Sequence, residues 1–374
     1  MGTLDTPVRP ERPFAAELRT KAELLQATLE RHGLAAIRLR GQDWFAWATC
    51  GGSNAVVMAT DAGVAEVLVT HAGVCVVTDA IEAERLRAEE VPEGVAVVEF
   101  GWTVPGEHEA YVREASGGGR VASDVPAGHE VELPAELVAA KRRLLPAEID
   151  RYRSLGLDAA SAMSEAVAQV TPTMTELDVA AIGAAALYRR GIDPALILVA
   201  GARRLPAYRH PRPTAAPVGD RVAVVFCGRR SGLYANLTRF AVFREPTPGE
   251  RRDAQSVAAV EAVAFDASRP GATLGDVFAA IIDAYARQGH PRAELGHHQG
   301  GTTGYRSREV VATPGDPTAI NAPVAFAWNP SLPGMKIEDT VLRTHQELEI
   351  LTLDPAWPAI EVDGRQRPDV WVRT

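Results

Sequence analysis

The chain has 374 residues, 46% of them hydrophobic and 23% charged, with a formal net charge of −9; that length suits two domains, and the composition excludes long disorder or a fibrous chain. No basic run that would neutralise a phosphate backbone occurs, so nucleic acid is excluded as an expected partner. Neither a cleavable leader nor an apolar stretch of roughly eighteen residues occurs, so no membrane span is expected and the expected location is the cytoplasm.

Residues 15–32 place Leu18, Leu24, Leu25 and Leu29 on one helical stripe that stops at Gly33. Met1-Gly2 with Thr6, ahead of that helix, formally matches an acylation pattern but reads as an ordinary chain start. Short apolar runs follow at 35–39, 55–60, 65–70, 74–78 and 95–100, with one helix from Ile81 to Glu90. They predict an α/β first domain over residues 1–145. Gly117-Gly118-Gly119 reads as a loop.

From 146 to 374 the pattern changes to long helices. Thr175 with Asp178, and Thr273 with Asp276, form capping-box patterns, and Leu274, Val277, Phe278, Ile281 and Ile282 make a buried stripe behind the second. Strands are expected over 221–226 and 233–243 with a turn at Ser231-Gly232. The second domain is therefore expected to be α+β, its helices covering one curved antiparallel sheet. Cys50, Cys75 and Cys227 lack metal-type spacing and fit a reducing compartment. Basic charge lies almost wholly on Arg, with Lys only at Lys21, Lys141 and Lys336, and together with abundant Ala this suggests a bacterial gene.

Four segments of the second half hold the polar groups that look placed: YRHPRP from Tyr208, GLYANLTR from Gly232, HHQGGTTGYRSRE from His297 and AWNPSLPGMKIEDTVL from Ala327. In order and spacing they resemble the creatinase/aminopeptidase P/prolidase superfamily, the pita-bread or peptidase M24 proteins, across roughly residues 145–355. The resemblance implies a pita-bread second domain behind a smaller creatinase-like α/β domain, and a homodimer. In that superfamily's metallopeptidases two Asp, one His and two Glu hold a pair of divalent ions. Here the first Asp position falls on the apolar stretch Val225-Phe226-Cys227, the second is Asn236, and the first Glu is Asn329. Only Glu338 and His298, with His297 as its alternative, match ligand types. Hard divalent ions need anionic oxygen, so no metal and no other cofactor is expected.

The resemblance to creatinase implies further roles. Tyr305, Arg308 and Glu309 follow the cavity His, and Arg308 is expected to grip a substrate carboxylate as a planar two-pronged donor. His210 stands where the family has a proton-transferring His, with an ordinary pKa near 6.5 that suits the task. Glu338 is expected beside His298, fixing its tautomer or its charge. Asn236 and Asn329 remove negative charge from two cavity walls, which disfavours a guanidinium substrate and favours a neutral amide, imine or lactam bearing a carboxylate. Trp47, in QDWFAWATCGG, is expected to supply an aromatic wall to a partner subunit's cavity. Cys227 reads as a small core residue. The reading is thus a homodimeric, metal-independent creatinase-like hydrolase of a C–N bond in a small carboxylated substrate. Its alternatives are a lyase of the same fold, an Xaa-Pro type metallopeptidase and a non-catalytic binding module.

Overall fold

The computed structural model describes residues 14–373, so the Met1–Thr6 pattern lies outside the described residues. Two compact units emerge, one of the residues up to Val138 together with Leu145–Glu148, the other of Ala139–Leu144 and the residues from Ile149 onward. Among the described residues no helix is long and apolar enough to cross a membrane.

The first unit is built on strands β1 (Ala36–Gly41), β2 (Ala62–Thr70), β3 (Gly73–Asp79), β4 (Ala96–Phe100), β5 (Val121–Ser123) and β6 (Val131–Glu132). They form one mixed sheet in the order β4-β3-β2-β1-β5-β6. Alternation along β1 sends Ile37 and Leu39 to one face and Arg38 and Arg40 to the other. The helix Phe14–His32 matches its apolar stripe, with Leu25 and Leu29 fully buried. The run at 55–60 is not a strand: Val56, Val57 and Met58 are exposed. The Gln42 amide donates to the Val57 and Thr60 carbonyls at 3.1 and 2.6 Å, which takes up acceptors a sheet ladder would have used. The expected helix from Ile81 is shorter, Ala83–Arg85 running into a π turn over Leu86–Glu90.

In the second unit the strands are β7 (Asp193–Gly201), β8 (Arg221–Arg230), β9 (Leu233–Val242), β10 (Gly300–Thr303), β11 (Val310–Val311), β12 (Val324–Trp328), β13 (Ser331–Leu332), β14 (Met335–Lys336), β15 (Asp339–Arg343), β16 (Leu348–Ile350), β17 (Ala359–Val362), β18 (Arg365–Pro368) and β19 (Trp371–Val372). The β8–β9 hairpin turns at Ser231 and Gly232 with φ of 50° and 76°, the left-handed pair a two-residue hairpin loop requires. Both capping boxes form, at Thr175/Asp178 and Thr273/Asp276. Helices Pro248–Ala267 and Leu274–Arg287 bury Phe265, Leu274, Val277, Phe278 and Ile281 against Phe326, Trp328 and Val341 of the sheet. Burying side chains of this size stabilises by about 1.5–3 kcal/mol each.

The expected single antiparallel sheet is instead divided into two larger sheets, β19-β9-β8-β7 and β11-β10-β12-β15-β16, beside the two-stranded pairs β13-β14 and β17-β18, with β19 parallel to β9. The two larger sheets meet at one antiparallel bridge, Thr238 to Glu338, where the Thr238 amide donates to the Glu338 carbonyl at 3.0 Å. With an α/β unit followed by an α+β unit, the fold class is the one the sequence implied.

Candidate functional site

The seam between the two sheets collects the polar residues. In β8 and β9, Val225 faces Thr238 and Cys227 faces Asn236, and residues directly opposite each other share a sheet face. The bridge brings Glu338 to the same place. Its carboxylate is 2% exposed yet triply bound. Arg308 Nη2 donates to Oε1 at 2.5 Å, and Thr238 Oγ1 donates to Oε2 at 2.9 Å. Lys336 Nζ lies 2.8 Å from Oε2. Burial opposes ionisation of Glu338, but Lys336 and then Arg308 outweigh it and hold the carboxyl far below the usual range. The expected Glu338–His298 pair therefore does not form, because two cations reach the carboxylate first.

Three imidazoles gather next to this ion cluster. His210, from the loop after β7, places Nε2 at 2.9 Å from His297 Nε2. His297 Nδ1 lies 2.5 Å from the His298 carbonyl oxygen. A carbonyl only accepts, so His297 carries its proton on Nδ1, its Nε2 holds the lone pair, and His210 Nε2–H is the donor between them. The His297 and His298 rings stack at 4.3 Å between centroids, and His298 Nδ1 is buried without a partner. Burial, then Lys336, pushes His297 down to about 3; burial, then Arg308, pushes His298 down to about 4. His210 is also lowered, by burial and then Lys336, so its expected ordinary value is corrected downward and all three rings are neutral near pH 7.

Glycine sets where this loop enters the sheet. A Cβ on Gly300, at φ 103°, would stand 2.1 Å from the Ala327 carbonyl oxygen, so no side chain fits between β10 and β12. The residue after Trp328 is tied in the same way, the Asn329 amide donating to the Gln299 carbonyl at 3.0 Å.

The remaining expected residues divide. Asn236 and Asn329 are 0% and 1% exposed. Asn236 Nδ2 donates to Thr303 Oγ1 at 3.1 Å, but the side-chain oxygens of both asparagines are buried without partners. Arg308 Nη1 donates to the Ser307 carbonyl at 2.5 Å while its Nε is buried and unpartnered; its fork is engaged by the protein rather than standing open as expected. Glu309 accepts from the Tyr305 amide at 3.0 Å and from Lys141 at 3.3 Å, which makes it a brace for the loop. Tyr305 is buried, its hydroxyl 3.5 Å from Arg151 Nη2. Trp47 is 2% exposed, packed edge-on to Trp44 and under the Lys21 ammonium within the first unit, so it is no free aromatic wall. Cys227 is buried and its thiol pushed up to about 12 by that burial.

Lys336 and Thr238 were missed. The signal was present, since Lys336 precedes Glu338 by two residues and Thr238 follows Asn236 by two, the spacing that puts side chains on one strand face. Both also line an apolar cleft, walled by Leu198, Val225, Phe240, Leu332 and Met335. Val225, the first residue of the stretch on which the first Asp position falls, is part of that apolar wall.

A protein-family model, metallopeptidase family M24, matches residues 151–345. Among solved structures, the dipeptidase PepE from Mycobacterium ulcerans is 21% identical with a TM-score of 0.75, covering 96% of this chain and 98% of that one. The Xaa-Pro dipeptidase from Bacillus anthracis is 17% identical with a TM-score of 0.77, covering 95% and 100%. The N-terminal domain of the FACT complex subunit SPT16 from chickpea is 10% identical with a TM-score of 0.68, covering 90% and 96%; the shared fold alone does not carry an activity. No curated protein matches the chain significantly. The family match overturns the metal-independent, creatinase-like reading; among the alternatives it supports the metallopeptidase.

Proposed function

Because the chain belongs to metallopeptidase family M24, whose model matches residues 151–345, we propose that it hydrolyses the C–N bond of a small substrate of the Xaa-Pro dipeptide type that bears a free carboxylate. The observation that carries this reading is the charge balance at the seam. Glu338 is one carboxylate held by two cations, Lys336 and Arg308, which leaves one positive charge uncompensated beside an apolar cleft. A substrate carboxylate completes that balance, and an apolar side chain or ring occupies the cleft. The unpartnered Asn236 and Asn329 oxygens are acceptors for a substrate N–H. His210, neutral and on the exposed rim, takes a proton from the water that adds to the scissile carbonyl carbon and returns it to the amine nitrogen as the C–N bond breaks.

In a metallopeptidase a bound ion supplies Lewis-acid polarisation of the scissile carbonyl. The residues matching the family's ion pair do not fit two ions: the stretch Val225-Phe226-Cys227 offers no carboxylate, Asn236 and Asn329 are neutral, and both oxygens of Glu338 are already engaged.

The test is a panel of Xaa-Pro and other dipeptides, each with a free or amidated C-terminus, assayed after incubation with divalent ions. Cleavage of the free acids with at least a tenfold preference over the amides is expected. Equal cleavage of the amides would remove the carboxylate from the reading, and no cleavage of any member would remove the activity.

A further inference from the structure

We propose that the apolar cleft beside Lys336 holds a second anion position, at Arg209, so that the preferred substrate carries a glutamyl side chain besides its terminal carboxylate. Arg209 and Lys336 both line that cleft, and among the described residues no aspartate or glutamate lines it. The Arg209 guanidinium makes no ion pair and no side-chain hydrogen bond among the described residues, and its Nε is buried without a partner. Other arginines nearby are paired: Arg204, on the same loop, with Glu176, and Arg221, beside Gly334 of the cleft, with Glu250. Glu294 shares the surroundings of Tyr285 with Arg209, yet the two form no ion pair.

The cations outnumber the acids at both ends of this argument. Lys336 and Arg308 share the single carboxylate of Glu338, and half-buried Arg209 adds a positive charge with no counterion. An unpaired charge withdrawn from water is costly, and a planar guanidinium fork is matched by a carboxylate through two parallel bonds. The guanidinium lies against Gly296, where a Cβ would stand 3.5 Å from Nη2. It is carried by the residue next to His210, so the cation and the proton-transferring imidazole come from one loop.

The rest of the cleft wall is mainly apolar, with Leu198, Leu205, Val225 and Phe240. Such a wall suits a short chain of methylenes with an anion at its end, the arrangement that long charged side chains adopt along apolar surface. At the Lys336 end, Ser331 stands opposite Lys336 in the β13–β14 hairpin. Its buried hydroxyl has no partner, so it can turn to a substrate carboxylate without giving up a bond. The inference deepens the peptidase reading by narrowing the occupant of the cleft to an aliphatic stem that ends in a carboxylate. It rests on that reading for the bond that is cleaved, whereas the anion position is measurable by binding without turnover.

The experiment is calorimetric titration of the full-length protein with glutarate, which has two carboxylates on a short aliphatic stem, and with butyrate, which has one. Glutarate should bind roughly 10–100-fold more tightly, the range for a hydrogen bond to a charged group, and rising salt should narrow the difference. Arg209→Gln should remove the advantage and Arg209→Lys should keep part of it. In parallel, Glu-Pro should be cleaved with kcat/KM about tenfold or more above that of its neutral isostere Gln-Pro, a ratio that Arg209→Gln brings towards one. Glutarate bound no more tightly than butyrate, or an advantage that Arg209→Gln leaves intact, would overturn the anion position. Equal cleavage of Glu-Pro and Gln-Pro would overturn the glutamyl preference and leave the peptidase reading standing. Glutarate binding that depends on Arg209, with no dipeptide cleaved, would remove the peptidase reading and uphold the position at Arg209.

Discussion

In the first unit every nitrogen of the buried Arg38 guanidinium is engaged: Nε by Glu66, Nη1 by Glu109 and Glu130, Nη2 by Glu109. Arg40, two residues on and on the same strand face, shares Glu66 and Glu130, and His108 closes the other side of Glu66 at 2.9 Å. Around Glu338 in the second unit, the charges are paired but neighbouring valences are left open: Asn236 and Asn329 oxygens, His298 Nδ1 and Arg308 Nε. Both clusters are buried and ionic. The difference teaches that saturation marks a structural network, whereas open buried valences beside a cleft mark a place prepared for something else.

If that distinction holds, changes at the seam should affect turnover and spare stability, and changes in the Arg38 network should do the reverse. The largest expected effect is at His210. Positioned proton transfer contributes about 10²–10⁴-fold, so His210→Gln should lower kcat by a factor in that range. Its exposed position keeps the stability change within about 0.5 kcal/mol. Wild-type kcat in this variant, measured on a cleaved dipeptide, would move the proton transfer elsewhere in the cluster.

Arg38→Met should reverse the pattern. It takes one of two guanidiniums from Glu66, 2% exposed, and from Glu130, leaving Arg40 as the remaining guanidinium for both, so the loss should reach about 1.5–3 kcal/mol, below the cost of a fully stranded buried charge. The pH dependence carries a second signature. Burial pushes Glu66 up but His108 and Arg38 outweigh it, Arg38 lowers Glu109, and Arg40 overcomes burial at Glu130, so all three sit below 4.5 when folded. Groups lowered on folding stabilise above their unfolded pKa, and that stability is lost as pH falls through the folded value. Urea unfolding between pH 7 and pH 3 should show a shallower acid decline in Arg38→Met, and an unaltered slope would mean the network contributes nothing through ionisation.

Local rules made much of this legible beforehand. The capping boxes at Thr175 and Thr273, the Ser231-Gly232 turn and the stripe behind Leu274 depend on residues within a few positions of each other, and the structure repeats them. The run at 55–60 failed because its apolar residues are exposed and its Val57 and Thr60 carbonyls go to Gln42, a partner 15 and 18 positions away that no local pattern reveals. The same limit applied at the site. His210, His298 with His297 as its alternative, Arg308 and Glu338 were read from their motifs, but which carboxylate meets which cation depends on the bridge between two sheets, and that bridge hands Glu338 to Lys336 and Arg308 instead of His298.

A smaller effect is expected at Lys336. Lys336→Met leaves Glu338 with Arg308 and Thr238 as partners and removes the uncompensated positive charge. A hydrogen bond to a charged group contributes about 1.5–3 kcal/mol, so KM for a carboxylated dipeptide should rise by roughly 10–100-fold with kcat little changed. Steady-state kinetics on the free acid and its amide checks this, since the amide should lose nothing. A fall in kcat at constant KM would make Lys336 a group acting on the reacting bond.

The smallest effect is also the sharpest for the comparison, because its sign differs between the two clusters. Asn329 is 1% exposed, and its side-chain oxygen has no partner, so in the free protein it bears a desolvation penalty without a compensating bond. Replacing such a group by an apolar side chain of similar size removes that penalty, of about 1–3 kcal/mol before packing adjustments. Asn329→Leu is therefore expected to be neutral or to stabilise by up to about 1 kcal/mol, while lowering kcat/KM through loss of the acceptor, the usual exchange between stability and activity at a functional position. The same logic applied to Glu66, whose oxygens are fully engaged, gives a loss for Glu66→Leu because the Nε–H groups of Arg38 and Arg40 lose their acceptor. Thermal unfolding of the two variants side by side decides it. If Asn329→Leu destabilises as much as Glu66→Leu, the open valence at Asn329 is filled in solution and the contrast between the two clusters disappears.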